Sequence, residues 1–464
     1  MEYVIYTYGG GDLLISIFNA IAMIFKSNNT YLTPVGQTGM AIGIIYAGAK
    51  ALTKGDIPYF LKGFMMPSLI VFFAVFSPKT TVWIKDEVAL TAPVKIDNIP
   101  FGISFFASIT SRTAHHTSKL LEEIMIPAGS KGSSTTGLLY GSKAAVKVRD
   151  VQIKDPILLR NTKEYLRQCY MIPYVMGNFG GKRSEAIQST DLLGFLNTNP
   201  VKCFGIKPTN ADGSIGKFMT CTEAGKMISL GVKAEANSPG LMTQFASSIV
   251  ISTSNEVLMT RRIKAMTTDI FHQLNQGHED INSWMQQAMI LNANRESYDD
   301  KREQYDLSRS FPELVRMQAT RGLFQQGMGS IIGAEMSEAM IPAAVQPAVL
   351  ALVMMLFVIA LPLMILPGAW STLMNGIKLL IWPCTWPVFY TAIHAISMIQ
   401  IKDAIGGWGE DGLSLVGQAG FTQLLMMKYA TAQSLVSATP VISFAIVFGS
   451  PYALSGIASG IASV

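Results

Sequence analysis

The sequence predicts a mostly α-helical membrane protein, with about five transmembrane helices and a large α+β periplasmic insert between the second and the third. Three observations lead there. Of the 36 Lys and Arg, 29 lie between Lys79 and Val345, together with 25 of the 31 Asp and Glu. The 197 positions outside that block carry only 7 basic and 6 acidic residues and consist largely of long apolar runs. Charged residues make up 14% of the chain and mean hydropathy is +0.33, whereas soluble proteins are about 25% charged. Three segments follow: 1–78 with an interfacial helix and two spans, 79–345 as the polar insert, and 346–464 as a C-terminal membrane domain of three spans, or two spans and a helical hairpin.

From the N-terminus, Glu2 and Asp12 stand where a cleaved signal peptide would carry basic residues, so the spans themselves are expected to direct insertion. Asp12 to Phe25 is apolar but short, with Asn19 in its middle, and reads as an interfacial or half-buried helix. Pro34 to Leu52 approaches the roughly 20 residues needed to cross a bilayer. Its Gly39-Met-Ala-Ile-Gly43 spacing offers either a close-packing face for oligomer contacts or ordinary glycine tolerance. The second span is Pro58 to Phe76. Between them Lys50, Lys54 and Lys62 face a single Asp56, and short lysine-rich loops stay in the cytoplasm. Both ends of this hairpin then face outward, which puts residues 79–345 in the periplasm of the bacterial inner membrane.

Inside the insert, alternation between Thr80 and Ile96 predicts strand, with Pro93 at an edge or turn. From Gly102 the period changes to that of an amphipathic helix carrying Arg112, His115 and His116. A second helix is expected over Asp155 to Met171. Gly177 to Gly240, dense in Gly, Pro, Asn and Ser, predicts irregular structure held by a disulfide. Helical periodicity returns from Met242 to Met340. The third span, Ala348 to Leu366, has no charge. The fourth, Leu373 to Met398, contains Pro383 and Pro387, which are expected to break it. The linker 400–420 holds Lys402 against Asp403, Glu410 and Asp411, which suits an outside location. Phe421 to Phe448 is either one span followed by a small-residue tail containing Gly456 and Gly460, or two half-helices turning at Thr439 and Pro440.

Chemistry is sparse. Gly180-Gly-Lys-Arg-Ser lacks the G-K-[ST] step of a phosphate loop. His272 and His278 are not spaced for one metal, and adjacent His115 and His116 cannot share one from a helix. No nucleophile elbow or Cys/His catalytic pair stands out. The expectation is a protein that is not an enzyme and needs no cofactor. The basic residues form no dense cluster, which argues against direct nucleic-acid binding. Polar groups within the spans, Lys378, His394 and Lys428, are costly against lipid. They either line a protein seam or water path, or snorkel from helix ends. Cys169, Cys203 and Cys221 lie together in the insert and Cys384 in an apolar run. In the periplasm the first three make one disulfide and one free thiol.

Asp97-Asn98-Ile-Pro100-Phe-Gly102, followed by Ser108, Thr110, Arg112 and His115, resembles the signature region of the TraG N-terminal family, an inner-membrane component of F-type conjugation systems. The likeness extends to Asn19-Ala-Ile-Ala, Cys169 in Gln-Cys-Tyr-Met, Cys221 in Met-Thr-Cys-Thr-Glu-Ala, and Thr385-Trp386-Pro387. The resemblance implies a polytopic subunit of a conjugative type IV secretion system, acting in pilus assembly and mating-pair stabilisation as an oligomeric platform or conduit. Its expected partners are other secretion and pilus-assembly subunits, further copies of itself and the lipid membrane. Together with the oxidising compartment it also implies that Cys169 pairs with Cys221, leaving Cys203 free. The alternative is a stand-alone transporter, with a solute at the intramembrane polar residues and a discontinuous fourth span.

Overall fold

The computed structural model describes residues 2–26, 79–87, 92–126, 151–179, 182–241, 281–305, 345–360, 370–408 and 417–449, with scattered positions at 38–53, 138–147, 245 and 414–415. In chain order the main elements are β1 (Glu2–Thr7), α1 (Gly11–Lys26), β2 (Lys79–Asp86), β3 (Val94–Pro100), α2 (Phe101–Met125), α3 (Pro156–Leu166), β4 (Gly205–Ile206), β5 (Met219–Thr220), α4 (Cys221–Ala236), α5 (Ile281–Tyr305), α6 (Gln346–Ala360), α7 (Trp370–Trp408) and α8 (Gln418–Phe448). The chain is mostly helical, with two small sheets among the described residues.

Two compact units result. One comprises Met1–Met125, Glu335–Ile393 and Gln433–Val464; the other comprises Ile126–Ala334 and His394–Ala432. A boundary after residue 78 therefore falls inside the first unit, because β1 pairs along its whole length with β2, Glu2 with Thr81 through Thr7 with Asp86. Parallel pairing requires a crossover, and α1 lies on that crossover against β2 and β3. An antiparallel ladder joins β2 to β3, with an irregularity between Thr80 and Val82. Asn98 takes up the left-handed conformation, φ 69°, which Asn tolerates better than most residues.

Helix α2 covers the open edge of β1, and its serines explain how. Ser104, Ser108 and Ser111 recur at helical spacing on the buried face. Ser108 Oγ donates to Val4 O at 2.9 Å, and Ser111 Oγ accepts from Tyr6 N at 3.3 Å. An edge strand left bare would recruit other chains; here side-chain hydroxyls satisfy it. Ile5, Val82, Ile84, Ile96 and Ile99 then form one core with Leu14, Phe18 and Ile21 of α1, joined by Leu350, Val353, Met354 and Phe357 of α6 and Leu380 of α7. Helix α1 is thus buried on one side against protein, as its half-buried pattern predicts.

In the second unit α3 starts on Asp155, whose carboxylate accepts from Ile157 N and Leu158 N, with Pro156 at its first position. The helix continues through a π turn, Arg167–Met171, into Ile172–Met176, and stops at Gly177 with φ 77°. Segment 177–240 is more regular than its composition predicts. It contains helices Arg183–Gln188, Leu192–Thr198 and α4, and the β4–β5 pair. Local caps account for this: Asp191 accepts from Gly194 N, and Thr220 with Glu223 closes a capping box on α4. Tyr165, Leu166, Tyr170, Ile228, Val232, Met285 and Met289 make the core between α3, α4 and α5.

Among the described residues two helices are long and apolar enough to cross a membrane: α7 over Met374–Ala404 and α8 over Gln423–Phe448. Helix α6 is apolar but shorter. The second predicted span lies outside the described residues and the first is described only in part. Neither proline pair nor single proline interrupts its helix: α7 runs through Pro383 and Pro387, and α8 through Pro440. This corrects the expected break in the fourth span and removes the turn at Thr439 and Pro440. Pro387 has no N–H to offer the carbonyl of Pro383. Gln346 replaces it, donating Nε2 to Pro383 O at 3.1 Å from a buried position. Gln346→Leu should therefore lower stability by about 1–3 kcal/mol, the cost of an unsatisfied buried polar group. Thermal unfolding in detergent measures this, and an unchanged midpoint would refute the role.

Candidate functional site

A set of buried polar and aromatic groups in the first unit, Thr7, Asp86, Glu87 and His115 among them, sits where β1 and β2 end. After Thr7 the chain must reverse into α1, and it does so through Gly9, Gly10 and Gly11. Gly9 and Gly10 have φ 118° and 62°, open to glycine at no steric cost. Asp86, placed opposite Thr7 by the parallel register, accepts Gly9 N on Oδ1 at 3.1 Å and Gly11 N on Oδ2 at 3.0 Å. A carboxylate at the first turn of α1 also opposes the positive end of the helix dipole. Any side chain at residue 11 would place its Cβ 3.0 Å from Asp86 Oδ2. Glu87 N closes the corner by donating to Thr7 O at 2.9 Å.

His115 enters this corner from α2. It is 3% exposed, stacks on the Tyr6 ring at 4.0 Å with 4° between planes, and has Tyr8 Oη 3.0 Å from Nδ1. On its other side Nε2 lies 4.0 Å from Glu87 Oε1, which Lys85 Nζ holds at 2.8 Å. With the ring proton on Nε2, Tyr8 donates to Nδ1 and Nε2–H faces the carboxylate. Burial pushes the imidazole down to about 4, only partly opposed by Glu87, so the ring is neutral at pH 7. Burial also raises the Tyr8 phenol far above its usual range.

A histidine whose folded pKa lies below its unfolded value of about 6.5 contributes stability that is complete above pH 6.5 and lost as pH falls toward 4. Stability should decline across that window by up to about 1.4 kcal/mol per pH unit on account of this one group. His115→Phe should flatten the decline. Denaturant unfolding between pH 7 and pH 4 tests it, and equal slopes in both proteins would exclude His115 as the source.

Of the residues singled out from sequence, Asp97 to His115 fall together on β3 and α2. Asp97 is exposed, accepts from Thr81 Oγ1 at 2.7 Å and pairs with Lys95 at 3.5 Å. Pro100 and Gly102 are buried at the strand–helix junction, whereas Arg112 is exposed; only His115 reaches the polar corner. Cys169 and Cys221 are joined in the second unit, Cα atoms 5.8 Å apart, and Cys203 is an exposed free thiol. His394 is buried and its Nδ1 accepts from Leu139 N at 3.1 Å; Lys378 is exposed and Lys428 half-buried. Gly39, Gly43, Gly456 and Gly460 lie outside the described residues. Sequence reading missed Tyr6, Tyr8, Asp86 and Glu87. The triple glycine and the paired acids ending an alternating run were the available signals.

Among the described residues no three His, Cys, Asp or Glu side chains gather as a metal site. The corner's geometry ties strand, turn and helix together through one carboxylate and one neutral imidazole. Residues 4–464 match the family described as TraG-like protein, N-terminal region. Protein TraG of Escherichia coli strain K12 is 22% identical over 406 residues, 86% of this chain and 41% of that relative. The chain thus spans about two fifths of that relative's length. No solved structure matches.

Proposed function

The chain belongs to the TraG-like family through that family's N-terminal region, and from this premise we propose that it is an inner-membrane subunit of a conjugative type IV secretion system, acting in pilus assembly and mating-pair stabilisation. The observation that carries the proposal is the match over nearly the whole chain. In this reading about five spans cross the bilayer, residues 79–345 face the periplasm, and several copies surround or support a conduit. The protein performs no catalysis and works through other secretion and pilus-assembly subunits.

Several features support the arrangement. Two helices have the length and composition of spans. Lys50, Lys54 and Lys62 oppose one acid between the first two predicted spans, as cytoplasmic loops do. The Cys169–Cys221 bond suits an oxidising compartment. In this reading the oligomer packs through Gly39, Gly43, Gly456 and Gly460, and Lys378, His394 and Lys428 face protein or water. The transporter alternative rests on the intramembrane polar residues and on a broken fourth span, and the continuity of α7 through both prolines removes the second of these grounds.

Alkaline phosphatase fused at Ser133 should be active, and a cytoplasmic reporter at the same point silent; the reverse pattern would refute the topology. Deletion of the chain from its host should abolish pili and donor activity together. Normal piliation in the deletion strain would refute the function while leaving the topology standing.

A further inference from the structure

The hairpin that joins β4 to β5 in the second unit holds two large apolar side chains out from the surface: Ile215 is 73% exposed and Phe218 is 60% exposed. The ladder pairs Gly205 with Thr220 and Ile206 with Met219. Ile206 is buried in the core and Met219 packs on it, so that pair faces inward. By alternation Lys207, two residues beyond Gly205, and Phe218, two before Thr220, share the outer face. The Phe218 ring stands where a Cβ on Gly205 would have to go, which puts it on that face too. Asn161 of α3 fixes the hairpin, its Nδ2 donating to Thr209 O at 2.9 Å and its Oδ1 accepting from Thr209 N at 2.7 Å. Asn210 N closes the turn beyond by donating to Ser214 O at 2.9 Å. The exposed side chains therefore sit on an ordered tip, and docking them costs little further ordering.

The charge around them selects what covers them. Lys202, Lys207 and Lys217 are all exposed, against a single acid, Asp212, between residues 201 and 220. That carboxylate is taken up by Ser214, whose N and Oγ both donate to Asp212 Oδ1. A negatively charged surface complements such a tip. Protein–protein interfaces are depleted in lysine, whereas lysines beside protruding apolar side chains suit the headgroup layer of an anionic bilayer. A bilayer is at hand, because the unit that carries the hairpin is built on the ends of the two membrane-type helices. Met398 and Ile401 of α7 and Phe421 and Leu425 of α8 share one core with Ile206. We infer that the hairpin docks on the surface of the membrane that α7 and α8 cross, with Ile215 and Phe218 among the headgroups and the three lysines on anionic phospholipid. This rests on the membrane reading proposed above.

The test uses the full chain with Cys203→Ser and Ala211→Cys, an exposed position at the tip. It is labelled with bimane and reconstituted in vesicles that contain a lipid with a nitroxide headgroup; the Cys203→Ser chain alone is the blank. With phosphatidylglycerol in the vesicles the nitroxide should quench the bimane at least twofold. In phosphatidylcholine alone, or in high salt, most of that quenching should vanish, a comparison that needs no change to the hairpin. Ile215→Ser with Phe218→Ser, and separately Lys207→Glu with Lys217→Glu, should each remove it as well. All four positions are exposed, so the fold should stand, as an unchanged thermal midpoint would verify. A tip unquenched in both vesicles, quenching indifferent to phosphatidylglycerol, quenching kept by either pair of substitutions, or a cross-link from residue 211 to a second copy or another protein would each overturn the inference. Release of the chain from membranes by alkaline carbonate would instead show that the membrane reading itself fails.

Discussion

Cys221→Ser should destabilise the second unit by about 4 kcal/mol, the chain-entropy value for a loop of this length. The bond spans 52 residues, and both its cysteines are buried, Cys169 in the π turn after α3 and Cys221 at the first position of α4. Reduction therefore frees a long loop and also uncouples two helices that share the core of Tyr165, Leu166 and Ile228. Cys203→Ser, an exposed thiol, should cost less than about 0.5 kcal/mol. Denaturant unfolding with and without reductant separates the two variants. Non-reducing peptide mapping that found Cys203 bonded to either partner would overturn the assignment.

Asp86→Ala should cost about 3 kcal/mol or more, since it removes two hydrogen bonds to a charged acceptor, each worth roughly 1.5–3 kcal/mol. It also leaves the buried Gly9 N–H and Gly11 N–H without the partner they have now. Asp86→Asn keeps one carbonyl oxygen and should recover part of the loss. Gly11→Ala meets the same carboxylate from the other side and should be destabilising even though alanine is the better helix former. Full-chain thermal unfolding of the three variants checks the order; an Asp86→Ala protein as stable as the parent would mean that the turn is held by other groups.

Much of the helical structure was legible because it depends on period alone. The run from Gly102 showed an apolar face every third or fourth residue, and α2 begins at Phe101. Alternation after Thr80 marked β2, and the uncharged run from Ala348 overlaps α6. Segment 177–240 was misread because its Gly, Pro, Asn and Ser were counted as breakers. At Gly177 one of these residues ends a helix, and Asp191 and Thr220 cap the starts of two others. The continuity of α7 was misread because prolines were counted as breakers, and at Pro387 the carbonyl it frees, that of Pro383, receives another donor in Gln346, 37 positions earlier in the chain.

The amino-acid sequence by itself determined the division into apolar and charged stretches, the helical and alternating periods, the family and the residues of its signature. Each of these is set by a side chain's own transfer free energy and by its spacing to near neighbours. The tertiary structure alone decided that Glu2–Thr7 lies beside Thr81–Asp86, that His115 becomes neutral between Tyr6, Tyr8 and Glu87, and that the membrane-type helices run unbroken through their prolines. Those outcomes depend on which donors, acceptors and charges remain unpaired once local structure has formed and on what the fold then brings against them. A buried polar group is costly without a partner, and for Gly9 N–H, His115 Nδ1 and Pro383 O that partner stands tens of residues away.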